Sequence, residues 1–262
     1  MDSASRVLLP IVALVAIALG GCATPVPKQT AIDSGLFSSV PQKSPDNQVI
    51  GGAGKRLAVI LNENTKNNTE YLKTRAGQAK ERVAVMTDNQ RSAEEMATDP
   101  NFGITWIANS LKRQFGQVTL VNDVANFSSG NFDYLAIVDT FYRPIDWHWS
   151  TPTVDAKFQV AFYDRQSRFV AQATGERNEE IPTANFESAA QMRLKQHMVR
   201  VRALEQMDAS IKSIVVTSQA LAPAGAAGKT DACVTGALQV SNAALRSKAI
   251  AACGAEGAIP SL

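Results

Sequence analysis

Histidine is nearly missing from this chain: its 262 residues include only His148 and His197. Neither has a second His or a Cys at ligand spacing, which argues against a zinc or transition-metal site. No G-x-S-x-G, H-E-x-x-H or C-x-x-C pattern occurs, and a Ser or Cys nucleophile would lack an evident base. Acid pairs stand at Glu94-Glu95 and Glu179-Glu180, a common arrangement on surface segments. No catalytic residue, metal ligand or cofactor is assigned, and the chain reads as a non-enzyme. An excess of one charge is missing too. There are 26 Lys+Arg against 24 Asp+Glu, a net charge of +2, which leaves little to hold nucleic acid. With 19% charged and 45% hydrophobic residues the chain is no collagen, mucin or charged tail. Aromatics are only 6%, so the hydrophobic fraction overstates the core. The apolar run VLLPIVALVAIAL, residues 7–19, falls short of the about 20 residues that span a bilayer as a helix.

That short run fits the apolar region of a secretory signal, with Arg6 and the α-amine ahead of it. The run closes on Leu19 and continues as Leu19-Gly20-Gly21-Cys22. Small residues before a Cys at this position resemble the lipobox of bacterial lipoproteins. The resemblance implies a diacylglyceryl group on the Cys22 sulfur, cleavage after residue 21 and acylation of the new amine. Several acyl chains give stable anchoring, at ~0.8 kcal/mol for each buried CH₂. Ala23 follows Cys22 where an inner-membrane retention signal has Asp, which favours the outer membrane, periplasmic side.

With Cys22 lipidated, Cys233 and Cys253 remain as an even pair in an oxidising compartment. A disulfide between them would close a loop of about 20 residues and stabilise by ~3 kcal/mol. Two free thiols in an Ala-rich tail are the alternative.

Residues 22–54 hold four prolines, Gly51, Gly52 and Gly54 among polar residues, and read as a flexible tether with an r.m.s. span of roughly 30 Å. Gly51-Gly52-Ala53-Gly54-Lys55-Arg56 is not a phosphate loop: Val49 stands where a Gly is needed, and Arg56 where a Ser or Thr is needed. A domain is expected over 55–218, followed by an Ala/Gly-rich tail over 219–262 in which 241–253 has helical character. Leu57–Leu61 reads as a buried strand. Residues 62–100 show no clean period, apart from a helix start around Tyr71-Leu72 and a short strand at 83–86. Asp99 and Pro100 are expected to open a helix running to Phe115, with Ile104, Ile107, Leu111 and Phe115 on one face. A short strand covers Gln117–Val121. Residues 133–175 alternate as an antiparallel meander with a polar turn at 164–167. A long helix over 184–216 shows one apolar stripe, leaving Arg193, Lys195, Arg200, Arg202 and Lys212 mostly on a solvated face. The fold class is α/β in the α+β sense: a small, mostly antiparallel sheet packed by two main helices, the longer one C-terminal.

The segment 141–152 contains two of the three Trp and two Pro. Tyr142, Arg143, Trp147, His148 and Trp149 are the candidate contact residues. Restricted aromatics bury much area at small entropic cost, which suits a protein partner or a sugar. They also suit the membrane interface or simple packing over the end of the sheet.

Cys22, the strand at 57–61, the helix at 101–115 and the alternating run from Asp133-Tyr134-Leu135 to Asp164 and Gly175 together resemble small α/β sandwich domains of envelope-assembly lipoproteins. The families concerned are the curli-secretion lipoproteins, the TolB N-terminal domain and the lipopolysaccharide-assembly lipoproteins. The insert at 62–100 departs from a compact version of that domain. The resemblance implies an accessory or assembly factor for an envelope secretion or transport complex. Its partners would be the membrane, through the lipid on Cys22, and other envelope proteins or copies of itself. A peptidoglycan- or glycan-binding module using the aromatic loop is the alternative.

Overall fold

Eleven elements follow one another in the computed structural model, which describes residues 24–81, 86–144, 153–181 and 189–217. They are β1 (Val49–Leu61), α1 (Glu63–Glu81), α2 (Asp88–Thr98), α3 (Phe102–Lys112), β2 (Phe115–Leu120), α4 (Val124–Ser129), β3 (Tyr134–Arg143), β4 (Thr153–Asp164), β5 (Phe169–Glu180), α5 (Ala189–Ile214) and β6 (Val215–Thr217). The strands form one mixed sheet of order β2-β1-β3-β4-β5, and β6 pairs with the start of β1. The α+β class is as expected. The longest ladders are the antiparallel β3-β4 and β4-β5 pairs, whereas β1 runs parallel to β2, β3 and β6.

The meander forms because its residues alternate. Ala136 and Val138 on β3 and Phe158, Val160 and Phe162 on β4 face inward. They meet Val199, Ala203, Leu204, Met207 and Ile211 of α5 and Ile107 and Leu111 of α3. Leu135, Ile137, Ala161 and Tyr163 point to the other face, against Phe127 of α4 and Phe132. The turn after β4 is an Asx turn: the Asp164 carboxylate accepts from the Gln166 and Arg168 amides at 2.9 Å, and Ser167 takes a positive φ of 59°. α5 crosses β5 at Gly175, where a Cβ would lie 1.9 Å from the Ala203 carbonyl oxygen and 2.5 Å from the Met207 nitrogen.

Four expectations need correction. First, residues 24–54 do not act as a tether. Ile32, Leu36 and Phe37 pack on the outer core. Ser44 Oγ donates to Asp164 at 3.0 Å, and Lys43 bridges to Phe169. β1 begins at Val49, and its glycines serve the sheet: Gly52 has a φ of 129°, and a Cβ on the facing Gly116 would meet the Ala53 carbonyl oxygen at 1.6 Å. Second, the stretch after residue 62 holds two helices. α1 hides its period because much of its buried side is polar: Asn64, Thr65, Asn68 and Arg75 lie there beside Tyr71 and Leu72. α2 opens with a capping box between Thr87 and Gln90, a signal legible in the sequence. Third, α3 starts at Phe102 behind Asn101, while Asp99 closes α2. Fourth, Arg193 and Arg200 are buried rather than solvated: α5 packs against α2 and α3 as well as the sheet, so Arg193 meets Glu94 of α2, and Arg200 lies between Phe102 of α3 and Tyr142 of β3.

The polar side chains of α1 have a definite task. β1 stops at Leu61, opposite Val138, but β3 runs on to Arg143 and leaves an unpaired edge. Thr65 Oγ1 donates to the Val138 carbonyl and accepts from the Thr140 amide, at 2.9 and 2.8 Å. The Asn68 amide does the same for both backbone groups of Tyr142, each at 3.1 Å. Side chains of a helix thus replace a missing strand and satisfy buried backbone groups.

Candidate functional site

The outer face of the sheet changes character halfway along its strands. Ile137 gives way to Asp139 on β3, and Ala161 to Gln159 on the facing β4. α4 and residues 32–37 cover the apolar half. The polar half forms a groove of about 220 Å³. β3 contributes Asp139 and Phe141, β4 contributes Asp155, Lys157 and Gln159, and β5 contributes Glu176 and Asn178. Register sets Lys157 opposite Glu176, and Asp155 opposite Asn178, with which it shares a hydrogen bond. Gln29 and Thr30 form a further wall.

Asp139 is the floor of this groove and is only 5% exposed. Burial raises its pKa above the usual carboxylate range, against the opposing hydrogen bonds of Asn64 and Asn62 and the charge of Lys157. Asn64 Nδ2 donates to it at 2.8 Å. The groove therefore offers donors, acceptors and both signs of charge along three strands.

A second cluster of polar groups lies behind the sheet, among α2, α3 and α5. Glu94 accepts from Arg193 Nε at 2.5 Å in a buried ion pair, so it is not the surface carboxylate expected. The Arg200 guanidinium lies 4.7 Å from the Tyr142 ring centroid and 5.1 Å from that of Phe102, and donates to the Asp99 carbonyl at 2.8 Å. Burial lowers the Arg200 pKa to about 10, which leaves it protonated at neutral pH. His197 packs at a tilt against Phe102, with ring centroids 4.8 Å apart. Its pKa falls to about 4, mainly by burial and then by the charge of Arg200, so the ring is neutral near pH 7. These groups serve packing.

The sequence-derived contact residues divide accordingly. Tyr142 is fully buried, with its pKa pushed up to about 12 by burial, and this corrects its placement on a contact surface. Arg143 pairs with Asp155 at the end of the groove. Trp147, His148 and Trp149 lie outside the described residues, as do Cys22, Cys233 and Cys253. Sequence reading missed the groove, although the Ile137-to-Asp139 and Ala161-to-Gln159 switches were there to see. Among the described residues no group of three or more His, Cys, Asp or Glu is placed to hold a metal ion, and no helix is long and apolar enough to cross a membrane.

The chain is thus an α+β protein whose mixed sheet carries helices on its inner face and a polar groove on its outer one. No family model matches the sequence, and no curated protein does. Among solved structures, the chain is similar to the PelC dodecamer of Paraburkholderia phytofirmans, with 15% identity over 60% of this chain and 94% of that one, at a TM-score of 0.27. A point variant of the same dodecamer aligns at 16% identity over 64% of this chain and 95% of that one, at a TM-score of 0.25. Likeness at that level carries no functional inference.

Proposed function

We propose that this protein is a lipid-anchored, non-enzymatic accessory of the outer membrane, facing the periplasm, which supports an envelope secretion or transport complex by protein contact. The observation that carries the reading is Leu19-Gly20-Gly21-Cys22 at the end of a 13-residue apolar run that closes on Leu19. The contact surface we assign is the groove around Asp139 and Lys157, on a face otherwise covered by α4 and residues 32–37. Arg143 joins it through Asp155. A glycan-binding role rests on Trp147 and Trp149 and is not carried forward.

The test places a photo-crosslinking residue at Gln159 in the groove and, as a control, at Arg165 in the β4-β5 turn. A discrete adduct with an envelope protein or a second copy is expected from 159 and not from 165. The charge swap Lys157→Glu with Glu176→Lys should preserve melting and remove the adduct. Equal adducts from both sites, or adducts that survive the swap, would sink the groove assignment. For the anchor, Cys22→Ser should leave an unlipidated precursor; recovery of a mature, membrane-bound form would sink the lipobox.

A further inference from the structure

The first described residues are held in place. Thr24 Oγ1 donates to Gln78 Oε1 at 3.2 Å, near the C-terminal end of α1. Six residues later Thr30 meets Asn64, in the first turn of α1, through three hydrogen bonds: its amide and hydroxyl donate to Asn64 Oδ1 at 3.0 and 2.9 Å, and its carbonyl accepts from Nδ2 at 2.9 Å. Asn62 Nδ2 then donates to the Ile32 carbonyl at 3.1 Å. The spacing is self-consistent. Fourteen helical residues from Asn64 to Gln78 rise about 21 Å. Six extended residues, with Pro25 and Pro27 among them, span about 19–20 Å. Residues 24–30 therefore lie as a strap along α1, antiparallel to it.

Only Ala23 separates Thr24 from Cys22. Two peptide links allow at most about 7 Å between the Cα atoms of residues 22 and 24. An anchor on Cys22 must leave the domain beside Gln78. α1 travels in the direction of β3, since Thr65 meets Val138 and Asn68 meets Tyr142. Its C-terminal end thus lies at the end of the sheet where β3 finishes at Arg143 and β4 begins at Thr153.

Resting on the lipidation of Cys22 proposed above, we infer that the C-terminal end of α1 is the membrane-facing surface of the domain, with a lipid bilayer as its partner. The domain rides directly on the bilayer instead of floating on a flexible linker. The groove floored by Asp139 then stands on a side wall near the membrane, and the Arg165–Arg168 turn points away from it. Of the exposed charges on α1, Lys66 pairs with Glu63 at 3.9 Å and Lys73 with Glu70 at 2.7 Å, and Lys80 and Glu81 at its C-terminal end are of opposite sign. The apposition follows from the covalent anchor and not from charge, so it does not need anionic lipid.

The test uses the mature chain from residue 22, with Cys233→Ser and Cys253→Ser, and a synthetic diacyl lipid coupled to the Cys22 thiol. The protein is placed on phosphatidylcholine vesicles containing a spin-labelled quencher lipid, with a fluorescent amino acid at Lys80 or at Arg165. At least twofold stronger quenching at 80 than at 165 is expected, unchanged when a fifth of the lipid is anionic. Insertion of sixteen Gly/Ser residues between Ala23 and Thr24 should abolish the difference, because such a linker spans about 20–24 Å. Equal quenching without the insert, stronger quenching at 165, or a difference that appears only with anionic lipid overturns the orientation. Failure of the anchoring reading is seen separately, as a native mature protein whose mass lacks lipid on Cys22.

Discussion

Gly175 is where the long helix comes closest to the sheet, and it allows a sharp test of the fold. The perturbation is Gly175→Ala. The new Cβ would sit 1.9 Å from the Ala203 carbonyl oxygen and 2.5 Å from the Met207 nitrogen. Both are backbone atoms of α5, so no side chain can swing aside. Restoring a tolerable separation requires α5 to retreat by about 1 Å or more, and core overpacking of this kind costs about 1–3 kcal/mol. Ala203, Leu204 and Met207 are fully buried at this level, so the retreat opens gaps along the helix and places the cost near 3 kcal/mol. For a domain of about 150–250 residues, 3 kcal/mol lowers the melting temperature by about 6–12 °C. Gly77→Ala is the internal control: its Cβ meets nothing within 4 Å in the interior of α1. Ala replaces Gly there at a gain of about 1 kcal/mol, or about 2–4 °C. Thermal melts by circular dichroism read both. A Gly175→Ala protein melting within 2 °C of the parent would refute the crossing of α5 over β5.

Stability should fall in mild acid because of His197. Its folded pKa of about 4 lies below the unfolded value of 6.5, so the unfolded chain binds the proton more readily. The contribution is fully present above pH 6.5 and is lost as pH falls through 4, by about 3 kcal/mol in all. Urea titrations at pH 7 and pH 4.5 should show the loss, and His197→Phe should shrink it; an unchanged pH slope in that variant would sink the assignment. Thr65→Val leaves the Thr140 amide without its partner, while the Val138 carbonyl keeps the Asn62 amide at 3.1 Å, and should cost about 1–3 kcal/mol. Thr65→Ser keeps the hydroxyl and should recover most of it in the same denaturation assay, and equal losses in the two variants would count against the edge-capping role.

Legibility tracked the kind of pattern each element carries. The strand at Leu57–Leu61, the helix containing Ile107 and Leu111, and the meander were readable because apolar residues recur at the periods of strand and helix. α1 was not, because its buried side bonds to a strand edge with Thr65 and Asn68, and to Thr30 and Asp139 with Asn64, and so presents polar residues where periodicity looks for apolar ones. The segment before β1 looked like linker for a similar reason. Its Pro and polar content is typical of flexible chain, yet Thr30, Ser44 and a few apolar residues hold it against the domain.

The sequence by itself determined the local matters: the near-neutral charge, the alternation that builds β3, β4 and β5, and the polar turn at 164–167. Each depends on residues close together in the chain. Only the tertiary structure decided that Arg193 and Arg200 are covered, that Tyr142 belongs to the core, and that Asp139 floors an open groove. It also decided that Thr24 lies beside Gln78. These depend on which surfaces far apart in sequence are brought together. A residue's exposure is set by what packs over it, and no local pattern encodes that.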